Sequence, residues 1–170
     1  ISDAADCPTI LYNIPQRTGI NISLNVYRQL AEQTNIVGVK EASSDITKIS
    51  RIRLACGPDF SIWSGNDDQI VPLLSLGAKG VISVLSNIMP KATSDICKLY
   101  FEGKVEESRK LQLRLLPLVN ALFCEVNPIP AKAAVAAMGY CENYVRLPLT
   151  VMEKENEAKL LALMKKENLI

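Results

Sequence analysis

A lysine at the end of an apolar strand is the residue in this sequence best placed for covalent chemistry. The run Ile36-Val37-Gly38-Val39-Lys40-Glu41-Ala42 is β-branched and apolar up to its charged end. In a strand the side chains alternate, so Ile36, Gly38 and Lys40 share one face while Val37 and Val39 share the other. The valines suit packing against helices, which turns Lys40 to the opposite side, with Gly38 leaving space beneath it. An unperturbed lysine has a pKa of about 10.4 and is almost wholly protonated at neutral pH. Burial lowers that value and makes the amine a nucleophile able to form a Schiff base with a carbonyl. Tyr12 ends the preceding apolar run, in Tyr12-Asn13-Ile14-Pro15-Gln16-Arg17-Thr18-Gly19, 28 residues before Lys40. That distance is one strand-and-helix repeat, so neighbouring strands set the phenol beside the amine, where it can relay protons. Arg17, just beyond, is suited to a two-pronged contact with a carboxylate. The chain has no histidine, so Ser/His and Cys/His pairs and histidine metal clusters cannot be built within it. Plainer readings stand beside these: Lys40 reaching to solvent or pairing with Glu41, Tyr12 as a core aromatic, and Arg17 as a solvated loop charge.

The elements that must position these residues follow from periodicity. Short apolar runs at Thr9 to Ile14, Ile36 to Lys40, Phe60 to Ser64 and Gly80 to Leu85 are predicted strands. Their starts are 27, 24 and 20 residues apart, the length of a compact βα unit. Continuous apolar strands of this kind belong to parallel sheets covered by helices. Val26, Tyr27, Leu30 and Ala31 form the apolar face of one intervening helix. Ile46, Ile49, Ile52 and Ala55 form that of the next, with Ser44 and Asp45 as caps and Gly57-Pro58 as a stop. Ile70, Val71 and Leu74 follow in a third. After residue 88 the pattern is wholly helical. One helix runs through Ala92, Ile96 and Leu99. Another carries Leu111, Leu115, Leu118 and Leu122, with a bend expected at Pro117. An alanine-rich helix from Pro130 to Met138 ends at Gly139, and a last one is announced by a Thr150/Glu153 capping box. Four βα units make half of an eight-stranded barrel, which normally needs about 250 residues. The expected organisation is therefore a half-barrel over residues 1–88, then its last helix and a helical region over 89–170. A flavodoxin-like open sheet is the alternative, but it wants a further strand and a binding loop that this sequence does not offer.

Composition excludes several classes of function. The 170 residues are 48% hydrophobic and 22% charged, enough for a core and too apolar for disorder. With 19 basic and 18 acidic residues the net charge is +1, which supplies no basic footprint for nucleic acid or an anionic membrane. No apolar run approaches the roughly eighteen residues of a membrane span. The five cysteines, Cys7, Cys56, Cys97, Cys124 and Cys141, have no metal-like spacing and read as reduced thiols, with a cytoplasmic location as the expectation. The chain opens with Ile1, and Ile1 to Asp6 reads as the polar end of a helix already under way, as in a piece of a longer chain.

The runs YNIPQRTG, IVGVKEA, WSGND, GVISVLSN and NPIPAK, in this order and spacing, resemble the dihydrodipicolinate synthase family, among the pyruvate-dependent class I aldolases that also include N-acetylneuraminate lyase. The resemblance covers nearly the whole chain. It implies the second half of a (β/α)8 TIM barrel with a C-terminal helical region. It also implies a condensation of pyruvate with aspartate 4-semialdehyde to 4-hydroxy-tetrahydrodipicolinate, on the route to lysine. By this resemblance Lys40 is the Schiff-base lysine and Tyr12 the proton-relaying tyrosine. Arg17, followed by Thr18, binds the carboxylate of the aldehyde substrate and favours the synthase over the sialic-acid lyase branch. Gly65 and Ile82 match pocket positions beside the pyruvate adduct. No cofactor or metal is implied, since the covalent imine on Lys40 does the electronic work, and the family points to a tetramer built from tight dimers.

The same resemblance implies that four N-terminal strands are absent. With them go the Gly-Thr-Thr loop that binds the pyruvate carboxylate and a second tyrosine supplied across a subunit interface. Ser43, Ser44 and Thr47 lie beyond the lysine strand and do not match that loop. The expected partners are thus the two substrates, the N-terminal half-barrel and further copies of the chain. A sister aldolase with another aldehyde, and a non-catalytic half-barrel that dimerises to cover its open edges, are the competing readings.

Overall fold

A computed structural model describes Ala4 and residues 7–170; apart from Ala4, the helical reading of Ile1 to Asp6 lies outside the described residues. Four strands, β1 (Thr9–Asn13), β2 (Ile36–Glu41), β3 (Ser61–Ser64) and β4 (Gly80–Val81), form one sheet in the order β1-β2-β3-β4. Every neighbouring pair is parallel. Between them run α1 (Pro15–Thr18) and α2 (Leu24–Ala31), then α3 (Ile46–Cys56), then α4 (Ile70–Ser75). The chain divides into two compact units, Ile1–Ile82 and Ser83–Ile170.

In the first unit the local signals work as their chemistry dictates. Ser23 caps α2 by accepting the Val26 N–H, and Asp45 caps α3 by accepting the Lys48 N–H at 3.1 Å, each satisfying a donor that the first helical turn leaves open. Gly57 ends α3 at a φ of 78°, a backbone conformation that a side chain would strain. Tyr27, Ile49, Ile52 and Leu73 from the helices bury against Ile36, Val39 and Ile62 of the sheet. Val26 and Ile46, read from sequence as part of the apolar faces, are instead exposed, because each lies at the margin of its stripe. Gly38 has a structural task different from the one expected. A Cβ there would overlap the Ser61 carbonyl oxygen and lie 2.8 Å from its carbon, so the glycine lets β2 and β3 pair rather than merely making room below Lys40.

The fourth strand is shorter than the predicted Gly80 to Leu85. The ladder continues only to the Ile82 N–H, which donates to Ser64 O at 2.9 Å. Beyond it, Ser83 Oγ accepts the Ser86 N–H and Ser86 Oγ donates to Ser83 O, both at 2.9 Å. These short hydroxyl side chains satisfy the local backbone in a turn and remove it from the sheet, and Leu85–Asn87 forms a 3-10 turn.

The second unit is helical: α5 (Pro90–Phe101), α6 (Val105–Leu122), α7 (Ile129–Ala137) and α8 (Lys154–Lys166). Leu115, Leu118 and Leu122 of α6 are buried as their spacing requires, and the helix continues through Pro117. The buried Ser108 hydroxyl donates to Ile96 O at 2.7 Å and so ties α6 to α5. The expected Thr150 cap does not form. The residue preceding α8 is Glu153, and its N–H donates to the Glu125 carboxylate at 3.1 Å while Asn156 Nδ2 donates to the same oxygen at 2.8 Å. The Glu125 carboxylate, from elsewhere in the unit, thus anchors the start of α8 through the N–H of the residue before it and the Asn156 side chain, not through the first-turn N–H that a capping hydroxyl accepts.

Candidate active site

The strand ladder places Tyr12 beside Lys40 and Lys40 beside Trp63. Residues paired across neighbouring strands lie on the same face, so the tyrosine and the lysine project together. Lys40 Nζ stands 4.2 Å from the centroid of the Tyr12 ring, within the reach of a cation–π contact. Tyr12 is 49% exposed, and Ile10 and Ile82 on the same sheet are 42% and 40% exposed. Gly65 closes the floor of this region. Its N–H donates to Glu41 O at 2.8 Å, and a Cβ on it would sit 2.6 Å from Ala42 Cβ and 3.1 Å from Lys40 Cε. Only a glycine leaves the lysine its position.

Arg17 and Thr18 lie in α1, the single turn that follows β1, and both are exposed. Proline at the first helical position presets this turn, and Gly19 closes it at a φ of 68° with its N–H on Pro15 O. The Thr18 hydroxyl is engaged locally, donating to Ile14 O at 3.2 Å or Ile20 O at 3.0 Å. The structure thus brings Tyr12, Lys40 and Gly65 together and sets Arg17 and Thr18 in the turn directly above Tyr12's strand. Ile82 stands two strands away from Lys40, at the end of β4.

Sequence reasoning missed what lies behind this face. Glu41 was weighed as a partner for Lys40, yet alternation sends it to the other side, where it is 2% exposed. Its carboxylate accepts Asn13 Nδ2 at 2.7 Å, the Tyr27 hydroxyl at 2.8 Å and the Ser43 N–H at 2.9 Å. The cation facing it is Lys48, at 3.8 Å, which also donates to Asn21 Oδ1. Burial, and then the Glu41 charge, raise the Tyr27 phenol well above its ordinary 10.0. Burial lowers the Lys48 ammonium below its ordinary 10.5, against the opposing pull of Glu41. The signal was present in the sequence: Glu41 continues the Val37, Val39 face, and a charge there must find partners inside. Among the described residues no three of His, Cys, Asp and Glu gather as a metal site would require.

The sequence matches the Dihydrodipicolinate synthetase family over residues 1–167. A 4-hydroxy-tetrahydrodipicolinate synthase of Alkaliphilus oremlandii is 47% identical over 170 residues, covering 100% of this chain and 59% of the relative. Dihydrodipicolinate synthase of Thermotoga maritima superposes with a TM-score of 0.96 at 42% identity, over 100% of this chain and 59% of that one. The chloride-inhibited Acinetobacter baumannii enzyme, solved in complex with pyruvate, superposes with a TM-score of 0.94 at 37% identity, over 99% of this chain and 58% of that one. The chain spans about three fifths of the length of the curated relatives it matches. At this level of likeness its four βα units are part of a (β/α)8 barrel.

Proposed function

Because the chain belongs to the dihydrodipicolinate synthetase family, we propose that it carries the nucleophile of a pyruvate-dependent aldol condensation, with Lys40 as the Schiff-base lysine. The observation that carries this reading is the register-paired Tyr12 and Lys40, with the amine over the phenol ring on the open face of the sheet. Neutral Lys40 attacks the ketone carbon of pyruvate and passes a proton to its oxygen, giving a carbinolamine; that hydroxyl takes up a further proton and leaves as water, forming an iminium. That cation draws electrons from the adjacent methyl group, which gives up a proton to form the enamine. The enamine carbon then attacks the aldehyde carbon of aspartate 4-semialdehyde, whose oxygen takes up a proton. The semialdehyde's own amino group, as the free base, then adds to the iminium carbon and closes the ring. A proton passes to the Lys40 nitrogen, the bond from that nitrogen to the substrate carbon breaks, and Lys40 is returned as the neutral amine, leaving a cyclic iminium that gives up its proton. Tyr12 is the group in reach to move these protons, since no histidine is present to do so. Arg17 and Thr18 lie where the second substrate's carboxylate would be met, and Gly65 and Ile82 border the adduct.

The activity requires the remaining βα units of the barrel. The face bearing Ile10, Tyr12 and Ile82 is open to solvent, whereas an imine-forming lysine works best where water is excluded. The pyruvate complex of the A. baumannii relative supports the choice of first substrate.

Borohydride reduction in the presence of pyruvate, with the first four βα units of the A. oremlandii relative supplied in trans, tests the assignment. The peptide containing Lys40 is expected to gain the mass of the reduced pyruvate adduct, and Lys40→Ala to abolish it. Labelling at another lysine, or undiminished labelling of Lys40→Ala, overturns the assignment.

A further inference from the structure

Lys40 and Glu41 are neighbours in β2 whose side chains leave the sheet on opposite faces, and Tyr12 and Asn13 do the same in β1. The register therefore stacks two pairs back to back: Tyr12 with Lys40 on the open face, Asn13 with Glu41 on the buried one. The buried pair is joined directly, Asn13 Nδ2 donating to Glu41 Oε1 at 2.7 Å. The same Asn13 amide also donates to Asn21 Oδ1 at 2.9 Å, and its carbonyl oxygen accepts the Ile22 N–H at 3.0 Å. Asn13 and Ile22 bracket the segment that holds Arg17 and Thr18, so one buried amide ties both of its ends to β2. Glu41 is in turn held from the helix side by Tyr27 and Lys48 and from its own strand by the Ser43 N–H. A carboxylate accepts from all of these at once because it has acceptors only. Away from water such charge-assisted bonds are strong and directional.

We propose that Glu41 is a positioning residue: acting through Asn13, it holds Tyr12 and the Arg17 turn in register with Lys40. It touches no reacting atom. This rests on the reading of Lys40 as the nucleophile.

The test is the rate of borohydride-trapped adduct at saturating pyruvate, on the full chain with the first four βα units of the A. oremlandii relative supplied in trans, folding being followed by circular dichroism. Asn13→Ala and Glu41→Ala are each expected to slow adduct formation by about 10- to 100-fold, the scale of a misplacement near 1 Å. The pyruvate concentration giving half the maximal rate stays unchanged. The double variant is no slower than the slower single one, because both remove the same link. Glu41→Gln, which keeps an oxygen toward Asn13, restores the rate even where stability is not recovered. Should Glu41→Ala fail to fold, Asn13→Ala and Glu41→Gln carry the comparison, with the rate falling in the first and not in the second. Folded variants that trap pyruvate at the parent rate, or single losses that multiply in the double variant, overturn the proposal while leaving Lys40 as nucleophile. A parent chain unlabelled at Lys40 removes both.

Discussion

Lys40 owes its position to what its neighbours lack. Gly65 has no side chain where a Cβ would press on Ala42 and on the lysine's own Cε at 3.1 Å. Gly65→Ala is therefore expected to leave the fold standing, at an overpacking cost of about 1–3 kcal/mol. If Lys40 is the nucleophile we propose, the substitution should slow trapping of pyruvate there by about tenfold or more, since the added methyl group displaces the amine. Mass spectrometry of borohydride time courses checks this, and a variant that loses stability with no loss of trapping rate would show that the contact is not made at the working position of the lysine. The juxtaposition of Tyr12 and Lys40 was legible in the sequence because strand alternation and repeat length suffice to align them, whereas Gly65 came only from the family resemblance. Glu41 was misread because it is adjacent in sequence to a residue of opposite charge. In a strand, adjacency separates side chains rather than joining them.

Elements are held by polar contacts that span them. Tyr27 of α2 donates to Glu41 of β2 at 2.8 Å, and its phenol is raised above 10.0 by burial and by that carboxylate. A raised folded-state value means the folded chain keeps a proton that the unfolded chain gives up. This contribution is complete below about pH 10 and is lost as pH climbs beyond it. Lys48 acts in the opposite sense: its folded-state value lies below 10.5, so stability recovers as pH rises through that lowered value towards 10.5. Comparison with Tyr27→Phe isolates the phenol. The variant is expected to be less stable at neutral pH by about 1.5–3 kcal/mol, the scale of a hydrogen bond to a charged group. It should fall less steeply with pH above about 10. Urea midpoints across that range measure both, and parallel curves for the two proteins would count against the buried hydrogen bond. The same competition between local and distant partners explains the boundaries that sequence misplaced. The Ser83 and Ser86 hydroxyls end β4 early, and Glu125, not Thr150, anchors the start of α8. Propensity rules see the hydroxyls but not which backbone groups they engage.

At the scale of the whole molecule, the sheet's two faces are treated unequally. One is sealed by α2, α3 and α4 around Ile49, Ile52 and Leu73, and the other exposes Ile10, Tyr12 and Ile82. An open apolar face with a parallel strand at each edge is a surface that natural proteins cover. Supplying the first four βα units of the A. oremlandii relative in trans is expected to raise the thermal midpoint of the chain in a concentration-dependent way. It should also lower the binding of a hydrophobic dye, as linkage requires of a partner that binds the folded state. A midpoint indifferent to that partner would contradict completion of the barrel. The sequence by itself determined the alternation of strands and helices, the pairing of Tyr12 with Lys40 and the exclusion of histidine chemistry, because these depend on residue type and on periods of two and 3.6 residues. Only the tertiary structure decided which residue faces Glu41 and that Gly38 serves strand pairing. Each of those depends on a group brought from another strand or helix, and no local period encodes which group arrives.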